Sequence, residues 1–292
     1  MTSVAPISLY RIITANKTKV TINAILTTVE ITLTALVPMF IGFAIDGLLA
    51  KETTEMFVLV AILISLIVMS VIRRFHDTRA YGEIRVKVQA EFVKNNASLS
   101  TSVLNARLDM VREFVDFLEE SVPEILNAVI QFIVSLVVLY FLNPMLAIAA
   151  LCSGVMMLLI YTLFHGNFYI LNGAYNKQSE RQVTILNTGS VYKLVRHFNY
   201  LKELEIKLSD REAILYGSVF MVLLSMVVFN LWYATLHGAM SAGVIFSIVS
   251  YSFEFVEAAI VLPMTLQSWS RLTEITNRIN STDIVHIKDI TD

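Results

Sequence analysis

Three carboxylates stand where the rest of the sequence avoids charge. Glu30 lies in the apolar run from Val20 to Leu49, and Glu254 and Glu257 lie in the run from Gly243 to Leu266. At 1.5 Å of helix per residue, Glu30 is expected about 15 Å into its run, and all three carboxylates near the middle of a bilayer. A charge at that depth costs about 2.5–3.5 kcal/mol on insertion scales, so such residues face a bundle interior or water and mark substrate or proton pathways. Glu254 and Glu257, spaced i, i+3, share one helix face. No Lys or Arg lies inside any apolar run to neutralise the trio. Gln131, in a third run with Asn127, joins the pathway candidates. A second reading has all of these side chains hydrogen-bonded to neighbours such as Thr34, Ser250 or Tyr251, with packing as their whole role.

Other site chemistry is missing from the sequence. There is no G-x-x-x-x-G-K-[ST], the loop whose backbone amides and lysine cradle a nucleotide's phosphates. H-E-x-x-H and G-x-S-x-G are equally absent, and His76, His165, His197, His237 and His286 show no ligand spacing. The one cysteine, Cys152, can form neither an intrachain disulfide nor a cysteine metal site. The chain is therefore not expected to be an enzyme, and no cofactor or metal is assigned to it.

The elements that hold these residues are membrane spans. Of the 292 residues, 56% are hydrophobic and only 16% charged, whereas soluble domains carry roughly a quarter charged residues. With a net charge of -2 and no isolated basic tract, nucleic-acid binding is excluded. Six apolar runs are long enough to cross as helices: Val20 to Leu49, Met56 to Ile72, Ile125 to Leu142, Met145 to Leu163, Ile214 to Leu236 and Gly243 to Leu266. The fold class is thus all-α and membrane-embedded. It divides into an N-terminal segment (1–19), a six-helix domain (20–279) and a C-terminal tail (280–292).

Between the runs the Lys and Arg residues fall unevenly. Lys51 alone lies in an alternate loop, against Arg11, Lys17 and Lys19 before the first run, eight residues from Arg73 to Arg112, seven from Lys177 to Arg211, and Arg271, Arg278 and Lys288 after the sixth. The positive-inside rule then puts both termini in the cytoplasm, in a plasma (inner) membrane. The two inner connections, from Arg73 to Pro123 and from His165 to Ala213, are long and free of Pro-rich or Ser-rich stretches, so they are expected to be helical extensions on the cytoplasmic side. Leu104, Leu108, Val111, Val115, Leu118 and Val122 make a coiled-coil-like stripe in the first, and Phe198, Leu201, Leu204 and Leu208 in the second.

Six spans, minimal outer loops and two long inner helical connections resemble the transmembrane domain of exporter-type ABC transporters. Local sequence adds to the resemblance. Pro38-Met39-Phe40-Ile41-Gly42 with Ile45-Asp46-Gly47-Leu48-Leu49 is similar to the family's outer end of the first span. His237-Gly238, Ser241, Gly243 and Phe246 are similar to the turn before the sixth, and Tyr251 with Arg278-Ile279 to its later marks. Arg79, Ile84, Arg85 and Phe92 resemble the first inner loop, and VREFVDFLEESVPEIL from Val111 to Leu126 resembles the six-transmembrane-domain-only branch, which has no fused ATPase.

The resemblance implies a permease subunit that exports a small molecule. Its expected partners are a second, similar half in a homodimer or heterodimer, membrane lipid, and a separately encoded ATPase that supplies the ATP chemistry. It implies ATPase-coupling turns at Ala97, Ser98, Leu99, Ser100 and Ser102 and at Gly189, Ser190, Tyr192 and Lys193. Asp46 is read as a capping or interface residue. A proton-coupled secondary transporter on the same fold, driven through the carboxylates, and a non-transporting scaffold are the competing expectations.

This topology is testable with single cysteines introduced in a Cys152→Ala background. Positions 54 and 238 are expected to react with an impermeant thiol reagent outside intact cells, and positions 96, 190 and 292 only after permeabilisation. External labelling at 96 or 190 would overturn the orientation.

Overall fold

Hydrocarbon offers backbone amides no hydrogen-bond partner, so a chain this apolar satisfies them internally as helix. In a computed structural model, which describes residues 9–95, 101–237 and 240–280 and side chains no further than residue 261, every regular element among the described residues is helical. The elements are α1 (Leu9–Ala15), α2 (Lys17–Leu49), α3 (Thr54–Asn95), α4 (Thr101–Asp116), a π-helical segment (Phe117–Ser121), α5 (Val122–Leu142), α6 (Pro144–Glu180), α7 (Gln182–Leu186), α8 (Val191–His237) and α9 (Ala242–Asn280). Among the described residues six helices are long and apolar enough to span a bilayer; they contain the first five apolar runs and most of the sixth.

Helix length exceeds what a membrane needs. About 20 residues cross a 30 Å hydrocarbon core, yet α3 has 42 residues, α6 has 37 and α8 has 47. The apolar part of α3 makes plain what solvates it. None of the 18 residues in its most apolar window is buried by protein, and in water an apolar face of that extent would aggregate.

The described residues of Met1–Ser135, Ser241–Ser250 and Glu257–Asp292 form one compact unit. In it α2 and α3 run as an antiparallel hairpin. Its turn is a Schellman motif in which Lys51 N–H donates to the Leu48 carbonyl at 3.0 Å and Glu52 N–H to the Gly47 carbonyl at 2.8 Å. Lys51 takes the left-handed position usually given to glycine, with φ of 63°. At the far end of the hairpin α3 packs on α1 and α4. Ile12, Tyr81, Ile84, Val88, Phe92, Val111, Phe114, Val115 and Leu118 close this core, so the expected stripe through Val111, Val115 and Leu118 is the buried face of α4 and its continuation.

Where that continuation enters α5 the helix widens into π form, Val122 N–H donating to the carbonyl of Phe117. Arg85 of α3 holds this segment in place. Its guanidinium bonds Glu119 at 2.9 Å and also reaches Asp116.

The second unit comprises Leu136–Met240, of which 136–237 and Met240 are described, with Tyr251–Val256. Asn143 and Pro144 turn the chain with a single non-helical residue: the Asn143 carboxamide accepts from Met145 N–H at 2.9 Å, and Pro144 starts α6 where no amide donor is needed. α6 and α8 pack antiparallel along their length, with Ala147, Ala150 and Met157 buried on one and Leu215, Val219, Leu223 and Met226 on the other.

The stripe expected on α8 is out of phase at its start. Leu201 and Leu204 are buried, but His197 takes the inner position while Phe198 is 46% exposed. Both fit the helical repeat. The imidazole can go inside because Gln178 meets its Nδ1 at 2.7 Å.

The contrast between the two phenylalanines gives a stability test. Phe114, fully buried, should lose about 3–5 kcal/mol of stability on Phe114→Ala. Phe198→Ala should stay within about 0.5 kcal/mol of wild type. Unfolding of both variants in detergent, followed by circular dichroism, measures the difference.

Candidate functional site

Position along the α2–α3 hairpin fixes the height of every polar side chain on it. Lys19 pairs with Glu83, Asn23 with Tyr81 and Glu30 with Arg73, a steady antiparallel register. Glu30 therefore lies 19 residues from the α2 end of the turn and Arg73 19 residues from the α3 end. That is about 29 Å at 1.5 Å per residue, close to a full hydrocarbon thickness.

The expectation that no cation neutralises Glu30 is thus corrected: Arg73 pairs with it and also bonds Asp77 at 3.0 Å. The miss has a physical origin: Arg73 lies just past the end of the second apolar run, and the antiparallel register of α2 and α3 brings it level with Glu30.

Glu254 and Glu257 lie 12 and 15 residues from the start of α9, about 18 and 22 Å along the axis. Glu254 is half-buried and Glu257 exposed. Gln131 is buried on α5, with Ser135, also buried, one turn along. Asn230 is among the buried polar residues that the sequence pattern did not single out. Fully buried on α8, it donates to Ser252 Oγ at 2.9 Å on the α9 stretch of the same unit, and to Met226 Sδ at 3.2 Å. The signal available was an amide inside the fifth apolar run, where such a group needs an interhelical partner.

At the turn end of the first unit, α9 is fastened to α2. Asp46 accepts from the Gly243 N–H at 2.8 Å and from the Ser241 hydroxyl, and Ser241 Oγ in turn faces the Val244 N–H at 3.3 Å. A carboxylate at these orphan amides satisfies them and opposes the positive end of the helix dipole. The backbones come close enough that a Cβ at Gly42 or Gly243 would collide with backbone of the other helix. Ser247 completes the contact by donating to the Pro38 carbonyl at 3.2 Å.

Of the two expected coupling turns, Ala97, Ser98, Leu99 and Ser100 lie outside the described residues, as does the side chain of Ser102. The other is a corner between α7 and α8. Gly189 adopts φ of 62°, which a side chain would strain, and its N–H bonds the Leu186 carbonyl at 3.0 Å. Ser190 precedes the first turn of α8, with its Oγ 3.5 Å from the Lys193 N–H. Around the corner Val183, Leu186, Val191 and Tyr192 are all exposed, Tyr192 to 76%.

The family model of the ABC transporter transmembrane region matches residues 9–243 of the chain. The chain belongs to this family. No curated protein matches it. The match takes in the first five apolar helices and the start of α9, and the ABC transporter transmembrane region gives the chain a role in membrane transport, in partnership with an ATPase or another transmembrane domain. The match covers both the α2–α3 hairpin with its Glu30–Arg73 pair and the α7–α8 corner.

In this transmembrane region the pair should behave as one unit. Breaking a buried ion pair at one partner costs on the order of 3–5 kcal/mol, less where water reaches it; removing Arg73 alone strands both Glu30 and Asp77, whereas replacing Glu30 as well leaves only Asp77 without its partner. Arg73→Met is expected to destabilise more than Glu30→Gln/Arg73→Met. A double-mutant cycle on thermal unfolding measures this coupling, and additive effects would show that the two side chains act independently.

Proposed function

We propose that the chain is the permease half of an exporter-type ABC transporter, built as a homodimer or heterodimer of like halves and driven by a separately encoded ATPase. The observation that carries this reading is the exposed apolar corner formed by Val183, Leu186, Val191 and Tyr192 in a chain matched to the ABC transporter transmembrane region. Isolated apolar residues on a surface need no explanation, but a cluster on a fixed turn suits a protein partner. α8 continues from this corner for 47 residues, about 70 Å, so a push there can reach the whole membrane domain.

The charge asymmetry of the loops supports placing this corner and both termini in the cytoplasm of a plasma (inner) membrane. The sequence holds no phosphate-cradling loop, so in this reading ATP is bound and hydrolysed by the partner, and no cofactor belongs to the chain itself. Glu254, Glu257 and Gln131 are the residues we assign to the substrate path, because they are the polar groups near mid-membrane height in α9 and α5. Proton-driven transport through the carboxylates is the weaker alternative, since Glu30 is already tied to Arg73.

Affinity purification from native membranes tests the reading. A P-loop ATPase subunit is expected to copurify with the wild-type chain and to be lost with Tyr192→Asp, while the variant itself stays in the membrane at normal abundance. Recovery of the chain without any ATPase, or equal recovery of the ATPase with Tyr192→Asp, would overturn it.

A further inference from the structure

Beyond the Glu30–Arg73 pair, away from the turn, α2 and α3 enclose a seam of buried polar side chains. Thr27 and Asn23 follow Glu30 at successive turns of α2, and Asp77 and Tyr81 follow Arg73 at successive turns of α3. Asn23 is 3% exposed, Thr27 3%, Asp77 1% and Tyr81 3%. Asn23 Nδ2 donates to Tyr81 Oη at 2.9 Å, which sets Thr27 opposite Asp77 in the same register. Three oxygens of this seam have no hydrogen-bond partner among the described residues: Asn23 Oδ1, Thr27 Oγ1 and Asp77 Oδ1.

The seam also carries unequal charge. Arg73 alone faces two carboxylates, Glu30 and Asp77. The other charged groups acting on Asp77 are His76 and Arg74 on α3 and Glu119 on the π segment. Arg74 is exposed, and Glu119 is already bonded to Arg85 at 2.9 Å. His76, half-buried with Nδ1 unpartnered, adds positive charge only in its protonated form. A carboxylate that is nearly dry is strongly disfavoured in its charged form, so either a proton or a cation must balance it. A water molecule could donate to two of the orphan oxygens but would leave the surplus charge in place.

We infer that Asn23, Thr27 and Asp77 form a binding site for one monovalent alkali cation of the sodium type, held between α2 and α3 at the edge of the membrane. Hard cations take oxygen ligands, and the three orphan atoms are a carboxylate, an amide carbonyl and a hydroxyl oxygen. A single carboxylate oxygen is free to coordinate, which suits one positive charge better than two. The bound cation balances the second carboxylate and ties the two helices together one turn beyond the Glu30–Arg73 pair. The site does not depend on what the chain transports or on what drives it.

Thermal unfolding of the full chain in detergent at pH 8 tests the site, with sodium chloride replaced stepwise by choline chloride at constant total salt. Sodium is expected to raise the Tm of the wild type saturably. Thr27→Val, which keeps the shape and removes only the ligand oxygen, should shift the half-saturating sodium concentration upward by about tenfold or more. Asp77→Asn should abolish the response. Should Asp77→Asn fail to fold, Thr27→Val with Asn23→Leu decides the matter. An equal sodium response in Thr27→Val and wild type would overturn the proposal. So would a wild type that ignores the exchange of sodium for choline but gains stability from pH 8 to pH 6, since a proton would then fill the seat.

Discussion

A charged side chain in hydrocarbon costs about 2.5–3.5 kcal/mol, and that penalty arranges the polar chemistry of the α2–α3 hairpin. Glu30, Arg73 and Asp77 meet one hydrocarbon thickness from the turn. Farther from the turn Lys19 with Glu83 and Arg11 with Glu91 follow as ordinary exposed ion pairs. Pairs of that kind contribute little stability, but their register is the register of the helices. The Glu30–Arg73 pair differs because its members are mostly shielded, as are Arg85 and Glu119, so each depends on its partner.

Much of this architecture can be read from residue order, and the misses are as physical as the successes. The Asn143-Pro144 turn is a local signal, a cap followed by a residue without an amide hydrogen, and it needs no tertiary information. The Val111, Val115, Leu118 stripe is legible because those positions have no competing phase. On α8 Phe198 and His197 both fit the repeat, and the choice was made by Gln178, a residue on another helix. The pairing of Glu30 was hidden for a related reason: Arg73 lies outside the second apolar run, and only the register of α2 against α3 brings the two side chains together. Asn230 was missed because an amide within an apolar run becomes informative only when its partner, Ser252, is placed.

The contact between α2 and α9 fixes one end of a long helix by backbone proximity. Gly42 and Gly243 bring the helices within backbone distance, and Asp46 binds the first amides of α9. Such contacts have one good geometry and tolerate little sliding, so the start of α9 is fixed relative to α2. Glu254 and Glu257 lie beyond this clasp, on a stretch of α9 whose facing is set by the rest of the helix.

The π-helical segment at Phe117–Ser121 has a consequence for how this sequence can vary. Each residue advances an α-helix by about 100°, so a widened turn that absorbs extra chain offsets the faces before and after it. Val111, Val115 and Leu118 face one core while Gln131 and Ser135 are buried farther along, and the offset lets a single continuous rod present both. Removing one residue at the widened turn would restore an unbroken α ladder and leave the two faces in place, because the wide turn is what absorbs that residue. Removing one farther along α5, where nothing absorbs it, would rotate the rest of the helix by about 100° and exchange lipid-facing side chains for inward ones. The π segment is therefore the place in this rod where chain length can change at least cost.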